Sequence, residues 1–245
     1  MVGFYKTLEC CRVHKIFTSH QFIPYYWSIN IFQILRQPSV FFRKHKTAVL
    51  LSLLVILSAT IYPSDMENDY SDPRGGQASK LVMSTEEYGR HINTLLPVAA
   101  IMLLRDWTGL KQLAVVTVAG IAASHGPKRL LNDVTVMGTR LGQRPRSPNS
   151  KHNMPSGHAT LASAGAYFTM RRYSFWLGLI VIPVMLLTMY ARVMLDAHTI
   201  SAVISGAMTG TLVTALFATK WRGTFVLFTR KPAAVKKQAD SSSAK

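Results

Sequence analysis

Two histidines and a set of cations around them are the residues of this chain that could do chemistry. The stretch "HNMPSGHATL", residues 152–161, sets a Pro-Ser-Gly turn and His158 directly before a run of small apolar residues. If Ser156, Gly157 and His158 open a helix, their backbone N–H groups are unpaired and point out of its N-terminus, where an anion can bind. Gly157 lets an anion approach the backbone closely. The Ser156 hydroxyl is a further donor, although the same serine also fits a plain N-cap. Upstream lies "RPR", residues 144–146, and arginine makes bidentate contacts to phosphate oxygens. Downstream, "ARVMLDAHTI" puts Arg192 six residues before His198. A phosphate held by Lys128, Arg144 and Arg192 would have its charge neutralised. One imidazole could then attack phosphorus while a second, opposite it, protonates the leaving oxygen. No carboxylate cluster or His/Cys set has metal-ligand spacing, so this chemistry calls for no metal and no cofactor.

These residues can meet only if the elements between them bring them to one level, and composition says what those elements are. Of 245 residues, 49% are hydrophobic and only 16% charged, against about 25% charged in soluble domains. Charge-free runs recur at residues 47–63, 92–104, 113–124, 158–170, 174–190 and 199–219. They predict an all-α, polytopic membrane protein, a bundle of six transmembrane helices. Pro183 predicts a kink in the fifth run, and Gly206 and Gly210 in the sixth have the spacing of close helix packing. Residues 1–46 read as a cytoplasmic or interfacial segment, with Tyr25, Tyr26 and Trp27 at headgroup depth. Residues 47–222 form the membrane domain. Residues 223–245 read as a basic, partly disordered tail. Residues 64–91, which hold six of the eleven acids, read as a polar loop outside the membrane. Cys10 and Cys11 are adjacent and are the only two cysteines, so no disulfide framework exists.

The net charge of +17 argues for an anionic partner. Nucleic acid is disfavoured, because the basic residues sit between apolar runs and do not stripe one helix. Residues 1–46 and 220–245 each carry seven Lys and Arg, which places both termini in the cytoplasm. The segment 125–157 and the turn from Arg192 to His198 then face outward. That segment nevertheless holds six cations against the single acid Asp133. Charge that orients nothing needs another task, and attracting an anion is one.

Lys128, "RP" at 144–145, "PSGH" at 155–158 and Arg192 with His198 together resemble the three-part signature of the type 2 phosphatidic acid phosphatase superfamily, membrane branch, over residues 92–220. The resemblance implies a metal-independent lipid phosphatase with a six-helix membrane fold. It implies His198 as the nucleophile that forms a phosphohistidine, and His158 as general acid and then base. Lys128, Arg144, Ser156, Gly157 and Arg192 would bind the phosphate, with Arg192 also acting in catalysis. Two departures stand out. Where the family usually has its first lysine, this chain has Met137, so Lys128, Arg129 and Arg140 compete for that role. Where the family has an aspartate four residues after the last histidine, this chain has Ala202. Asp133 is a candidate substitute for orienting His198, whereas Asp196 falls on the wrong face. The long first spacing is most like the bacterial lipid A 1-phosphatases. The expected setting is therefore a bacterial inner membrane with the site facing the periplasm, and an anionic phospholipid or lipid A as partner. Undecaprenyl diphosphate, the lipid A 4′-phosphate and phosphatidylglycerophosphate are alternative substrates. A non-catalytic lipid-phosphate-binding protein is the alternative class, and the oligomeric state stays open.

Overall fold

Helix α6, Gly157–Arg172, is made mostly of small residues, and small residues let neighbouring backbones come close. In this computed structural model, which describes residues 30–66, 70, 78–147 and 149–221, α6 packs against four other helices. These are α4 (Arg90–Leu104), α5 (Trp107–Leu130), α7 (Gly178–Met194) and α8 (Ile200–Phe217). Two points of contact explain the glycines. A Cβ on Gly165 would lie 1.7 Å from the carbonyl oxygen of Asn93, so α4 and α6 touch backbone to backbone. Cβ atoms on Gly206 and Gly210 would lie 2.3 and 2.1 Å from the carbonyl oxygens of Ser156 and Thr160. The small-residue spacing read from the sequence is thus the seam along which α8 lies on α6.

The other elements frame this pair. Helix α1, Ile31–Lys44, starts with a reciprocal capping box between Asn30 and Gln33 and packs on α8. Helix α2, Lys46–Ile61, also packs on α8. A short helix α3, Lys80–Ser84, runs through a π-turn at Thr85–Gly89 into α4. The left-handed Arg105 ends α4, and Asp106 caps α5 by accepting the Gly109 N–H. A two-stranded hairpin, β1 (Thr135–Val136) and β2 (Thr139–Arg140), lies between α5 and α6. A 3₁₀ turn, Phe175–Leu177, leads into α7.

The distribution of polarity is inverted relative to a water-soluble core. Thr160, Ser163, Thr169, Ser205 and Thr214 are buried, and their hydroxyls bond to backbone carbonyls or to other hydroxyls. Leu50, Leu54, Leu57, Leu103 and Leu179 are exposed. A surface this apolar is costly in water and suits lipid. The architecture is mostly helical, as expected. Among the described residues, two helices, Phe175–Met194 and Ile200–Phe217, are long and apolar enough to cross a membrane, with mean hydropathies of 2.0 and 1.7. Lys46–Ile61 is apolar but shorter. Helix α7 continues through Pro183 without a break.

Two sequence expectations change. The supposed loop 64–91 is helical from Lys80, because Val82 and Thr85 are buried and anchor that segment. Lys128 lies on the last turn of α5, not in the following loop, since the helix carries on past Pro127 to Leu130. Arg172 is not a surface charge. It is buried in an ion pair with Asp106, which also accepts from the Tyr173 hydroxyl. Tyr25, Tyr26, Trp27, Cys10, Cys11 and the tail 223–245 lie outside the described residues.

The Gly206 contact gives a direct test. Gly206→Ala inserts a methyl into the Ser156 carbonyl, and overpacking of this kind costs about 1–3 kcal/mol. The unfolding temperature of the purified protein in detergent is expected to drop. An unchanged midpoint would contradict the close approach of α8 to α6.

Candidate active site

The site lies at the end of the bundle where α5 and α7 finish and α6 and α8 begin. Helix α6 opens here because Ser156, fully buried, caps it by accepting the Ala159 N–H (3.5 Å). The Ser156 N–H donates to the Ala202 carbonyl at 2.9 Å, which fixes this helix start against α8. Ser156 is therefore an N-cap, as one reading of the sequence had it, and its O–H retains the capacity to donate. Gly157 follows, and a Cβ placed on it would lie 3.4 Å from Nζ of Lys128. The ammonium group thus stands at the opening of α6. Arg129 is exposed, and Arg140 is engaged in bonds to the carbonyls of Asn132 (3.2 Å) and Ser150 (2.6 Å). Of the three competing cations, Lys128 alone is seen at the PSGH turn.

His198 ends the turn after α7 and is 2% exposed. Its N–H bonds to the Arg192 carbonyl at 3.2 Å, so the arginine and the histidine are tied through the backbone. Its ring Nδ1 lies 2.9 Å from the backbone oxygen of Asn153 and 3.3 Å from the side-chain oxygen of the same residue. Both are acceptors, so Nδ1 carries the proton and donates, and Nε2 keeps its lone pair. The side chain of Asn153 also accepts the Thr199 N–H and donates to Thr199 Oγ1, each at 3.1 Å. Asn153 therefore orients His198 and holds the start of α8 together. Asp133 does not take this role. Its carboxylate accepts from Asn132 at 2.9 Å, and its side chain is 83% exposed beside Arg140.

Arg144 is held by its own loop. Its N–H donates to Ser150 Oγ at 2.7 Å, and its Nη2 donates to the His152 carbonyl at 3.3 Å. Its Nε is buried without a hydrogen-bond partner, and so is the Nε of Arg192. Native interiors seldom leave such donors unpaired. Here both belong to guanidinium groups beside one imidazole, and the acceptor they suit is an oxyanion. The neighbours leave an electrostatic mark. Burial first, and then Arg192, Lys128 and Arg144, push the His198 pKa well below its ordinary value, so the ring is neutral. Burial, followed by Arg144 and Arg192, lowers Lys128 to about 8.

His158, the second residue of α6, lies with its Nε2 3.4 Å from Nη1 of Arg90. Sequence reasoning did not single out Arg90, Glu86 or Asn153. Glu86 and Arg90 stand four apart on the helical segment whose sequence reads as a loop, and Glu86 bonds to both Arg90 and Arg192. A helical reading of residues 80–91 would have put an acid and a base on one face. Asn153 gave no signal, because its main contact to His198 is a backbone carbonyl.

The chain is similar to several known proteins. The PAP2 superfamily profile matches residues 109–225. A lipid A 1-phosphatase of Helicobacter pylori strain J99 is 41% identical over 172 residues, spanning 70% of this chain and 86% of that protein. The lipid A 1-phosphatase of H. pylori strain 26695 is 40% identical, spanning 70% and 87%. A lipid A 4′-phosphatase of strain J99 is 34% identical over 49% of this chain and 62% of its own length. Among solved structures, a transmembrane PAP2-type phosphatidylglycerolphosphate phosphatase from Bacillus subtilis aligns over 76% of this chain and 92% of its own. Its TM-score is 0.37 and its identity 18%.

The lowered pKa of Lys128 makes a pH prediction with a definite sign. As pH rises through about 8 the ammonium loses its proton, so inorganic phosphate, as a competitive ligand, should bind more weakly. Stability should move the other way. Between about 8 and the ordinary 10.5 the unfolded chain binds the extra proton, so unfolding becomes less favourable as pH rises. Lys128→Arg should move the binding limb to higher pH, and phosphate titrations at pH 7 to 10 check it. The chain belongs to the PAP2 superfamily, and it is a phosphatase.

Proposed function

We propose that this protein removes a phosphate monoester from a lipid headgroup at the periplasmic face of a bacterial inner membrane, and that the 1-phosphate of lipid A is its substrate. The observation that carries the reading is the set of cations around one neutral imidazole. Lys128, Arg144 and Arg192 surround His198, whose Nδ1 is committed to Asn153 and whose Nε2 is left with a lone pair. In support of the substrate, two relatives named as lipid A 1-phosphatases are 41% and 40% identical and are spanned over most of their length. The 4′-phosphatase relative is matched over a smaller share.

The reaction would run in two displacements. Nε2 of His198 attacks phosphorus, and the bond from phosphorus to the lipid oxygen breaks. His158, protonated, gives its proton to that leaving oxygen. Lys128, Arg144, Arg192 and the backbone N–H groups at Gly157 and His158 stabilise the charge on the equatorial oxygens. His158, now neutral, takes a proton from water. The resulting hydroxide attacks the phosphohistidine, the P–N bond breaks, and inorganic phosphate leaves. Residues 47–222 would form the six-span membrane domain that does this. Residues 1–46 would lie at the cytoplasmic surface, and residues 223–245 would form a cytoplasmic tail.

The test is phosphate release by detergent-purified protein from a panel holding lipid A, its 1- and 4′-monophosphates, undecaprenyl diphosphate and phosphatidylglycerophosphate, with and without chelator. Release from the 1-position, undiminished by chelator, is expected. His198→Ala should abolish turnover while sparing lipid binding. His158→Ala should lower turnover by about 10²–10⁴-fold, the usual share of a general acid, and accumulate an acid-labile phosphoenzyme. Binding without turnover by the unaltered protein would favour a lipid-binding role. Loss of activity in chelator would overturn the metal-free reaction.

A further inference from the structure

A carboxylate stands beside the cradle of cations, and it is not idle. Oε1 of Glu86 accepts hydrogen bonds from Nη1 of Arg192 and from Nη1 of Arg90, the latter at 2.8 Å. Arg90 Nη1 in turn lies 3.4 Å from His158 Nε2. One oxygen thus links the end of α7, the start of α4 and the start of α6. Its other oxygen, Oε2, is buried without a partner. Glu86 is delivered there by the π-turn, in which the Arg90 N–H reaches back five residues to the Thr85 carbonyl. Single π-turns inside α-helices often mark functional positions, because the extra residue re-aims the side chains around it.

A carboxylate beside a site for anions works against binding, since it repels the incoming charge. It does something else that no cation there could do. Arg192 is pushed by Lys128 and Arg144, each of which carries the same sign and lies close enough to perturb the groups around it. Without an opposing charge its long side chain has no reason to stay at the His198 end of the site. Glu86 supplies that charge from behind. It holds Arg90 at the same time, and Arg90 stands against the ring of His158.

We propose that Glu86 is a positioning residue, which fixes Arg192 for the phosphoryl oxygens and Arg90 against His158. The inference rests on the reading above, in which Arg192 binds the phosphoryl group and His158 serves the leaving oxygen. It separates two quantities that usually fall together. Removing the charge of Glu86 leaves the field around the site more positive, so a phosphate anion should bind as well as before or better. The chemical step should suffer, because Arg192 is no longer held where charge develops in the transition state. A displacement of an ångström at a reacting centre can cost about 10²-fold.

The experiment is Glu86→Gln in the full-length protein, purified in detergent. It is assayed for kcat on the preferred lipid phosphate and for competitive inhibition by inorganic phosphate. The expected result is a kcat lower by about 10- to 100-fold, with a phosphate inhibition constant equal to or below that of the unaltered protein. Glu86→Asp, which keeps the charge one methylene shorter, should recover part of the lost kcat. An unchanged kcat in Glu86→Gln overturns the proposal. So does a loss of kcat matched by equally weakened phosphate inhibition and a lower unfolding temperature, since that is a structural role only. His198→Ala is run beside it. If His198→Ala keeps full turnover, the catalytic reading itself fails. If it is inactive while Glu86→Gln is unaffected, only the positioning role fails.

Discussion

The constraint on which the rest depends is mutual repulsion among three cations held together in a partly dry place. Burial, then Arg144 and Arg192, lowers the pKa of Lys128; burial, then Arg146 and Arg192, lowers that of Arg144; and burial, then Arg192, Lys128 and Arg144, lowers that of His198. Like charges at such range would separate if they could. Each is held by a different device. Lys128 is carried on the last turn of a 24-residue helix. Arg144 is fastened by Ser150 and the His152 carbonyl. Arg192 is carried on the last turn of α7 and countered by Glu86. The stored repulsion is what an oxyanion would relieve, and on the proposed function it would become affinity for phosphate.

That arrangement needs a frame that does not yield, and the frame is the seam between α6 and α8. The Ser156 backbone sits at the join. Its carbonyl is the atom that a side chain at Gly206 would strike, and its N–H is bonded to Ala202. The capped start of α6 and the start of α8 are thus one rigid piece, carrying Gly157, His158 and His198 within it or next to it. The far end of the bundle is closed differently. There Arg172 is bonded to Asp106, to Gln112 Oε1 at 2.8 Å and to the Thr219 carbonyl at 2.9 Å, so a buried charge meets several acceptors. Breaking such a pair by removing one partner is strongly destabilising. One end is saturated with partners and fixed. At the other, the guanidinium Nε groups of Arg144 and Arg192 keep unused donors.

The sequence disclosed most of the frame and the cations, because both are written in local patterns. Apolar runs located the stretches of α2 and α4 to α8, and glycine spacing foretold that α8 packs closely on a neighbour. Lys128, Arg144, Gly157, His158, Arg192 and His198 do gather at one end. What stayed hidden is instructive in each case. Residues 80–91 look like a loop because their acids and glycine dilute the hydropathy, yet they form helix where Val82 and Thr85 are covered by neighbours. Two spans of ordinary length and apolarity were recognisable to composition. The remaining helices are shorter or more polar, and their burial comes from partners that sequence alone does not name. Asn153 was invisible because a backbone carbonyl has no residue type.

Asn153 also bears on Ala202, the position where the family's pattern has an aspartate. The Ala202 methyl is fully buried beside Leu141 and Met154. A carboxylate there would be desolvated among apolar atoms, which is costly unless it is paired. The carbonyl of Asn153 takes over half of what an aspartate would do. It fixes the ring plane and the Nδ1–H tautomer, so Nε2 keeps its lone pair without any rearrangement. The other half it cannot do, because a neutral carbonyl offsets positive charge on the ring far less than a carboxylate does. In the proposed reaction the His198 ring would become cationic as it bonds to phosphorus, among three cations. The phosphoryl group itself would then supply the compensation, with its negative oxygens between ring and cations for as long as the P–N bond lasts. On that proposal the site would hold the covalent state only while the phosphoryl charge is present. It would favour the next displacement, because every cation that attracts the substrate would also attract the hydroxide that ends the cycle.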